Sequence, residues 1–262
     1  MRRTSSAGSQ VTDRGLDVRR DGDVLRVSLS RPERRNAFDA ALIAALADVF
    51  GEVGDARCVV LAGEGPSFCA GADIDWQRAA IDLSYDENVE DAMRLYRMLE
   101  AIDTCPAPVV ARVHGHALAG GSALVTCADI AIAAPDAVFG FTEVRVGIIP
   151  AIVSPFVFER IGRPAARRYF LTGERFDAET ALRIGLVHEV AEDLDVAVQA
   201  AIDALLAGGP EAVRAAKVLI HEHPTGEETA HIAALRRTSE EGQDGLRAFL
   251  EKREPAWLSR RD

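Results

Sequence analysis

Basic charge is in short supply in this chain. Its 262 residues hold 30 lysines and arginines against 41 aspartates and glutamates, a formal net charge of −11. That sign excludes nucleic acid and anionic membrane surfaces as general partners, although a local basic patch stays compatible with a phosphorylated small molecule. Cysteine is scarce as well. Cys58, Cys69, Cys105 and Cys127 show no CxxC spacing and no paired histidines, and three of them lie in or beside apolar runs. Buried reduced thiols are expected, which excludes a disulfide framework and a zinc site, so no metal is expected. No apolar run approaches the ~20 residues that a membrane-spanning helix needs. The opening MRRTSSAGSQVTD has two arginines without an apolar segment behind them, so residues 1–13 read as a disordered tail and the expected location is cytoplasmic. Internal repeats, low-complexity blocks and long linkers are missing too. What is left is 48% apolar and 27% charged, ample for a large core.

Two glycine-punctuated stretches carry the chemistry. In the first, Val109, Val110 and Val113 form a β-rich run ending at Gly115, and Ala119, Gly120 and Gly121 bring backbone close to whatever lies above them. Residues 122–127 read as a short apolar helix whose first N–H groups are free to face that place. Ile130 and Ile132 follow in a buried strand, and then Glu143, an acid among apolar residues. In the second, the apolar run at 58–61 precedes a loop at Gly63, Gly65 and Pro66 and a small-residue turn at Ala70, Gly71 and Ala72. Asp73 is placed to cap the next helix. Two such turns aim one N–H apiece at a single oxygen, the geometry of an oxyanion hole, where losing one donor costs about 3–4 kcal/mol of transition-state stabilisation.

Elsewhere, Leu25, Val27 and Leu29 alternate with Arg26 and Ser28 as a half-buried strand, followed by the basic loop RPERRNAF. Asp39 caps a helix with the stripe Leu42, Leu46, Val49, Phe50 and Val53. A second helix covers 86–103, with Ala92, Leu95, Leu99 and Ile102 on one side. Strand pairs separated by helices give a mixed α/β core. Beyond residue 151 the pattern is mostly helical: Pro164 starts one helix, Asp177 caps another, 186–190 is a short strand, and 193–207, 210–221 and 227–241 are three helices.

The runs FCAGADI, HGHALAGGSAL, FGFTEVRVGIIP and LTGERFDAETALRIGLVHEV, taken in order, resemble the crotonase superfamily of enoyl-CoA hydratases and isomerases. The resemblance implies an α/β fold, a crotonase-like spiral of ββα units over 14–195, and a C-terminal helical region over 196–262 that makes trimer contacts. It also implies a homotrimer or hexamer, an acyl-CoA substrate and no prosthetic group, coenzyme A being part of the substrate. Ala72 and Gly120 would supply the oxyanion-hole amides and Glu143 the acid/base. Arg34 would contact the phosphates of coenzyme A, and Ala37, Ala70, Asp73, Ile74, Phe249 and Lys252 would complete its site, the last two from the terminal helix. His114 and His116 read as hydrogen-bonded structure, and Asp75 and Trp76 as candidates for the acyl pocket.

One position departs from the pattern. Hydratases of the standard type carry a second glutamate where this chain has Ala123, and a methyl group neither orients water nor moves a proton. The expected function is an enoyl-CoA hydratase-type lyase working through Glu143. The first alternative is a Δ3,Δ2-enoyl-CoA isomerase using that single acid, and the second a non-catalytic acyl-CoA binder. The run TEVRVGIIPAIVSPFV resembles bacterial methylglutaconyl-CoA hydratases in particular.

Overall fold

A computed structural model describes residues 10–12 and 14–259. Its strands are β1 (Gln10–Thr12), β2 (Leu16–Asp21), β3 (Val24–Leu29), β4 (Cys58–Gly63), β5 (Val109–Val113), β6 (His116–Leu118), β7 (Ile130–Ala133), β8 (Val138–Gly140), β9 (Arg175–Asp177) and β10 (Glu189–Val190). The larger sheet runs β1-β2-β3-β4-β5-β7-β10, antiparallel through β3 and parallel from there on. The smaller runs β6-β8-β9. Successive strands divide between the two, β5 and β7 going to the larger sheet while β6 and β8 go to the smaller. This division, with helices closing each turn, is the expected spiral of ββα units.

The helices are α1 (Ala40–Gly51), α2 (Ile74–Ala80), α3 (Tyr85–Asp103), α4 (Gly120–Thr126), α5 (Ser154–Thr172), α6 (Ala178–Arg183), α7 (Leu194–Ala207), α8 (Pro210–Glu222), α9 (Glu227–Thr238), α10 (Glu240–Glu251) and α11 (Ala256–Ser259). They explain why β4 reads as an unbroken apolar run. Val59 and Leu61 face the main core with Leu42 and Leu46 of α1 and Leu99 and Ile102 of α3. Cys58 and Val60 pack with Leu194, Val198, Ile202 and Leu206 of α7. A parallel strand covered on both faces has no polar side to alternate with. Asp39 caps α1 as expected, its carboxylate accepting from the Leu42 N–H at 3.0 Å. Ser84 and Glu87 close a capping box at the start of α3, one residue ahead of the expected helix.

Four expectations change. Residues 10–12 of the expected tail form β1, hydrogen-bonded along β2, while 1–9 and 13 lie outside the described residues. Helix α5 begins at Ser154, ten residues before Pro164. Gly162 (φ 69, ψ 161) divides it in two, and Pro164 stands just past that break, where a missing N–H leaves no gap. The strand at 186–190 shrinks to two residues, because the Leu186 and Val187 N–H groups turn back to the Ala181 carbonyl of α6, and the His188 ring takes the Ala131 N–H of β7 on its Nδ1. The helix at 227–241 is two helices, parted by extended Ser239, whose Oγ accepts from the Gly242 N–H. The four cysteines are buried and free, and burial pushes the Cys58 and Cys69 thiols up to about 12.

Candidate active site

The two small-residue turns are neighbours because the segments leading into them are stitched to common partners. The Cys69 N–H donates to the His116 carbonyl, and the Leu118 N–H returns to the Cys69 carbonyl. Backbone 69 is thereby fixed beside β6, which runs straight into Ala119 and Gly120. On its other side the turn pairs with the basic loop: Phe38 N–H donates to Gly71 and Asp73 N–H to Phe38. The approach is so close that a methyl group on Gly71 would fall 2.8 Å from the Leu118 carbonyl oxygen and 3.6 Å from the Gly120 nitrogen. Gly120 in turn lies under the Phe38 ring, and Gly121 under the Cys69 carbonyl, with no space for a Cβ on either. Ala119 holds φ 48 and ψ −117, a left-handed conformation costing an alanine about 1–3 kcal/mol. Its own N–H donates to Gly140 at 2.7 Å. Ser122 locks the same corner, its Oγ donating to the Ala117 carbonyl and accepting from the Gly140 N–H. Among the described residues, neither the Ala72 nor the Gly120 N–H has a hydrogen-bond acceptor.

Both turns open onto one cavity of about 220 Å³. Ala72, Ala119, Gly120 and Glu143 line it together with Phe38, Trp76, Leu95 and residues 148–153. Glu143 begins a short helical turn after β8, and the Arg145 Nε braces that turn against the Gly173 carbonyl at 2.8 Å. The Oε2 of Glu143 is buried, and no described residue partners it. Burial pushes the Glu143 pKa above the ordinary glutamate value, a hydrogen bond from its own backbone offsetting only part of this. An acid held in that state beside unengaged amides fits proton transfer next to a developing oxyanion. Ala123 is fully buried in the main core and does not line the cavity.

Over residues 19–260 the chain matches the family described as enoyl-CoA hydratase/isomerase. It belongs to that family. The chain is 32% identical to the cyclohexa-1,5-dienecarbonyl-CoA hydratase of Thauera aromatica over 255 residues, 93% of this chain and 96% of the relative. It is similar in structure to an enoyl-CoA hydratase from Shewanella pealeana (TM-score 0.89, 38% identity, 93% of this chain and 96% of the other). It is similar also to Pseudomonas aeruginosa AtuE (TM-score 0.89, 36% identity, 93% and 99%). The expected fold and crotonase superfamily are therefore those of this molecule.

In this crotonase-type chain the expected coenzyme A contacts do not all come together. Arg34 is held by acids: its Nη1 donates to Asp73 Oδ2 and to Asp75 Oδ2, each at 2.9 Å, instead of standing free for phosphate. Burial alone would raise the Asp73 carboxyl, but the Asp75 N–H and the Arg34 guanidinium outweigh it and hold it below the usual range. Asp73 is thus the cap of α2 and an anchor for Arg31 and Arg34. Within the basic loop, Arg35 is the arginine without an ion pair among the described residues. Ala37 is buried with its carbonyl on Arg31, the Ala70 N–H donates to Arg35, and Ile74 is exposed. Phe249 and Lys252 are exposed at the end of α10, which packs on α8 and α9 rather than near the cavity. Trp76 lines the cavity, whereas Asp75 is turned to Arg34 and Arg78. His114 is the structural histidine expected, its Nε2 2.8 Å from the Gly65 carbonyl. The sequence reading passed over three contributors. Asn36, fully buried, ties the basic loop through both its amide and carbonyl groups, Ser122 braces the Gly120 turn, and Gln77 lines the cavity. Gln77 sits one helical turn beyond Asp73, a spacing that was legible once α2 was placed.

Proposed function

We propose that this protein is an enoyl-CoA hydratase-type lyase that adds water to, or removes it from, an α,β-unsaturated acyl-CoA. The observation that carries the reading is the buried, unpartnered Glu143 carboxyl oxygen in the same cavity as two unengaged backbone amides. With the thioester oxygen on the Ala72 and Gly120 N–H groups, electron density leaving the double bond collects there as an enolate. The Glu143 carboxylate takes a proton from water as the hydroxyl oxygen bonds to the β-carbon. It then returns that proton to the α-carbon, so water is added across the double bond and the carboxylate is regenerated. A second reading, Δ3,Δ2-isomerisation, draws on the burial of Ala123 away from the cavity. One carboxylate suffices to take a proton from the α-carbon of a 3-enoyl thioester and deliver it to the γ-carbon.

Crotonyl-CoA and 3-hexenoyl-CoA separate the two. Hydration predicts loss of the conjugated thioester absorbance with crotonyl-CoA, and isomerisation predicts its appearance with 3-hexenoyl-CoA. Tight binding of both without turnover would contradict both readings and leave an acyl-CoA binder. For the assembly we propose a homotrimer or dimer of trimers through the C-terminal helices, on the support of the exposed Leu246, Phe249 and Leu250 along one side of α10.

A further inference from the structure

Three side chains in the cavity wall can make hydrogen bonds. One is Glu143; the others, both on α2, are Gln77 and Trp76, whose indole offers a single N–H. Gln77 is exposed at the rim, and its carboxamide has no partner among the described residues. The other lining residues are apolar or glycine, and no lysine, arginine or histidine is among them. The arginines adjacent in sequence to the wall are committed elsewhere, Arg78 to Asp75 at 2.8 Å and Arg94 to Glu90 and Asp91, each at 3.7 Å; Arg145, two residues past Glu143, donates to the Gly173 carbonyl at 2.8 Å.

We infer that the acyl group taken by this site is short and uncharged, and ends in a neutral oxygen that accepts a hydrogen bond from Gln77. The inference rests on the cavity being the acyl site of the proposed reaction. Size argues for a short chain: about 220 Å³ is below the ~300–1,000 Å³ typical of ligand pockets. Charge argues for a neutral one. A second carboxylate would share a largely apolar cavity with Glu143, and the wall offers no cation to attract it. This separates the site from the methylglutaconyl-type acyl group, which carries such a carboxylate, even though the 142–157 run resembles enzymes acting on it. The carboxamide argues for an oxygen at the far end, because an alkyl end covering Gln77 would strip its water and return no hydrogen bond.

The test is kcat/KM for three trans-2-enoyl-CoA thioesters of equal short length, ending in a methyl, a keto and a carboxylate group. It is run on the wild-type chain and on Gln77→Leu and Gln77→Arg, both at an exposed position that folding tolerates. The wild type is expected to prefer the keto chain over the carboxylate chain by 100-fold or more. Gln77→Leu should lower the keto chain about tenfold relative to the methyl chain, the worth of one hydrogen bond. Gln77→Arg should raise the carboxylate chain at least tenfold. A wild type that favours the carboxylate chain, or a Gln77→Leu variant that changes all three rates by one factor, overturns the inference while leaving the hydratase reading standing. No turnover of any of the three by wild type counts against the hydratase reading itself.

Discussion

Glu143 is the residue on which both charge and burial converge, and its raised pKa has two consequences of definite sign. The proposed chemistry starts from the carboxylate, so kcat/KM should rise with pH through the pKa of the folded protein. The acidic limb should then lie above the ordinary glutamate value of 4.5. Stability runs the other way. A carboxyl whose folded pKa exceeds its unfolded one binds its proton more tightly in the native state, so stability falls as pH rises from the unfolded value through the folded one. Thermal melts of Glu143→Gln should therefore exceed wild type at pH 8 and converge with it near pH 4. A difference that does not change with pH would refute the burial argument. At this scale the sequence was informative about placement, since Ala72, Gly120 and Glu143 line one cavity although they lie far apart in the chain. It gave no sign of the acids around Arg34, since nothing local in RPERRNAF reveals that Asp73 and Asp75, some forty positions on, point at the guanidinium.

Among the elements, α5 is the one whose geometry a single atom decides. At φ 69 and ψ 161 Gly162 occupies a region that side chains other than hydrogen seldom enter. A Cβ there would meet nothing closer than Pro164 Cδ at 3.6 Å, so any cost comes from the backbone and not from crowding. Gly162→Ala should lose about 1–3 kcal/mol in urea or thermal unfolding, and an unchanged midpoint would show that α5 runs on as one helix. Helices with a polar cap and an apolar stripe, such as α1 and α3, were legible almost to the residue. The start of α5 was not, because the proline inside it is the stronger local signal and the glycine two residues earlier gives no hint of the torsion it adopts. The split at Ser239 was hidden likewise, since Arg236 and Arg237 before it and Glu240 and Glu241 after it are all good helix formers.

For the molecule as a whole, composition bounded the class of partner and ordered motifs gave the family. The spiral came from the resemblance and not from periodicity, because strands that alternate between two sheets look alike in sequence. The exposed side of α10 is where the assembly proposal is tested. Sedimentation of the full chain should give three or six times the chain mass, and Leu250→Glu should shift the distribution toward monomer. A monomeric wild type would contradict the proposal.

In the proposed reaction one carboxyl group moves a proton beside a thioester oxygen held by two amides. The most direct measurement is turnover of a short 2-enoyl-CoA by Glu143→Gln, with its thioester affinity measured alongside. The expected result is a fall in kcat of about 10²- to 10⁴-fold with the dissociation constant nearly unchanged. Turnover at the wild-type rate would contradict it.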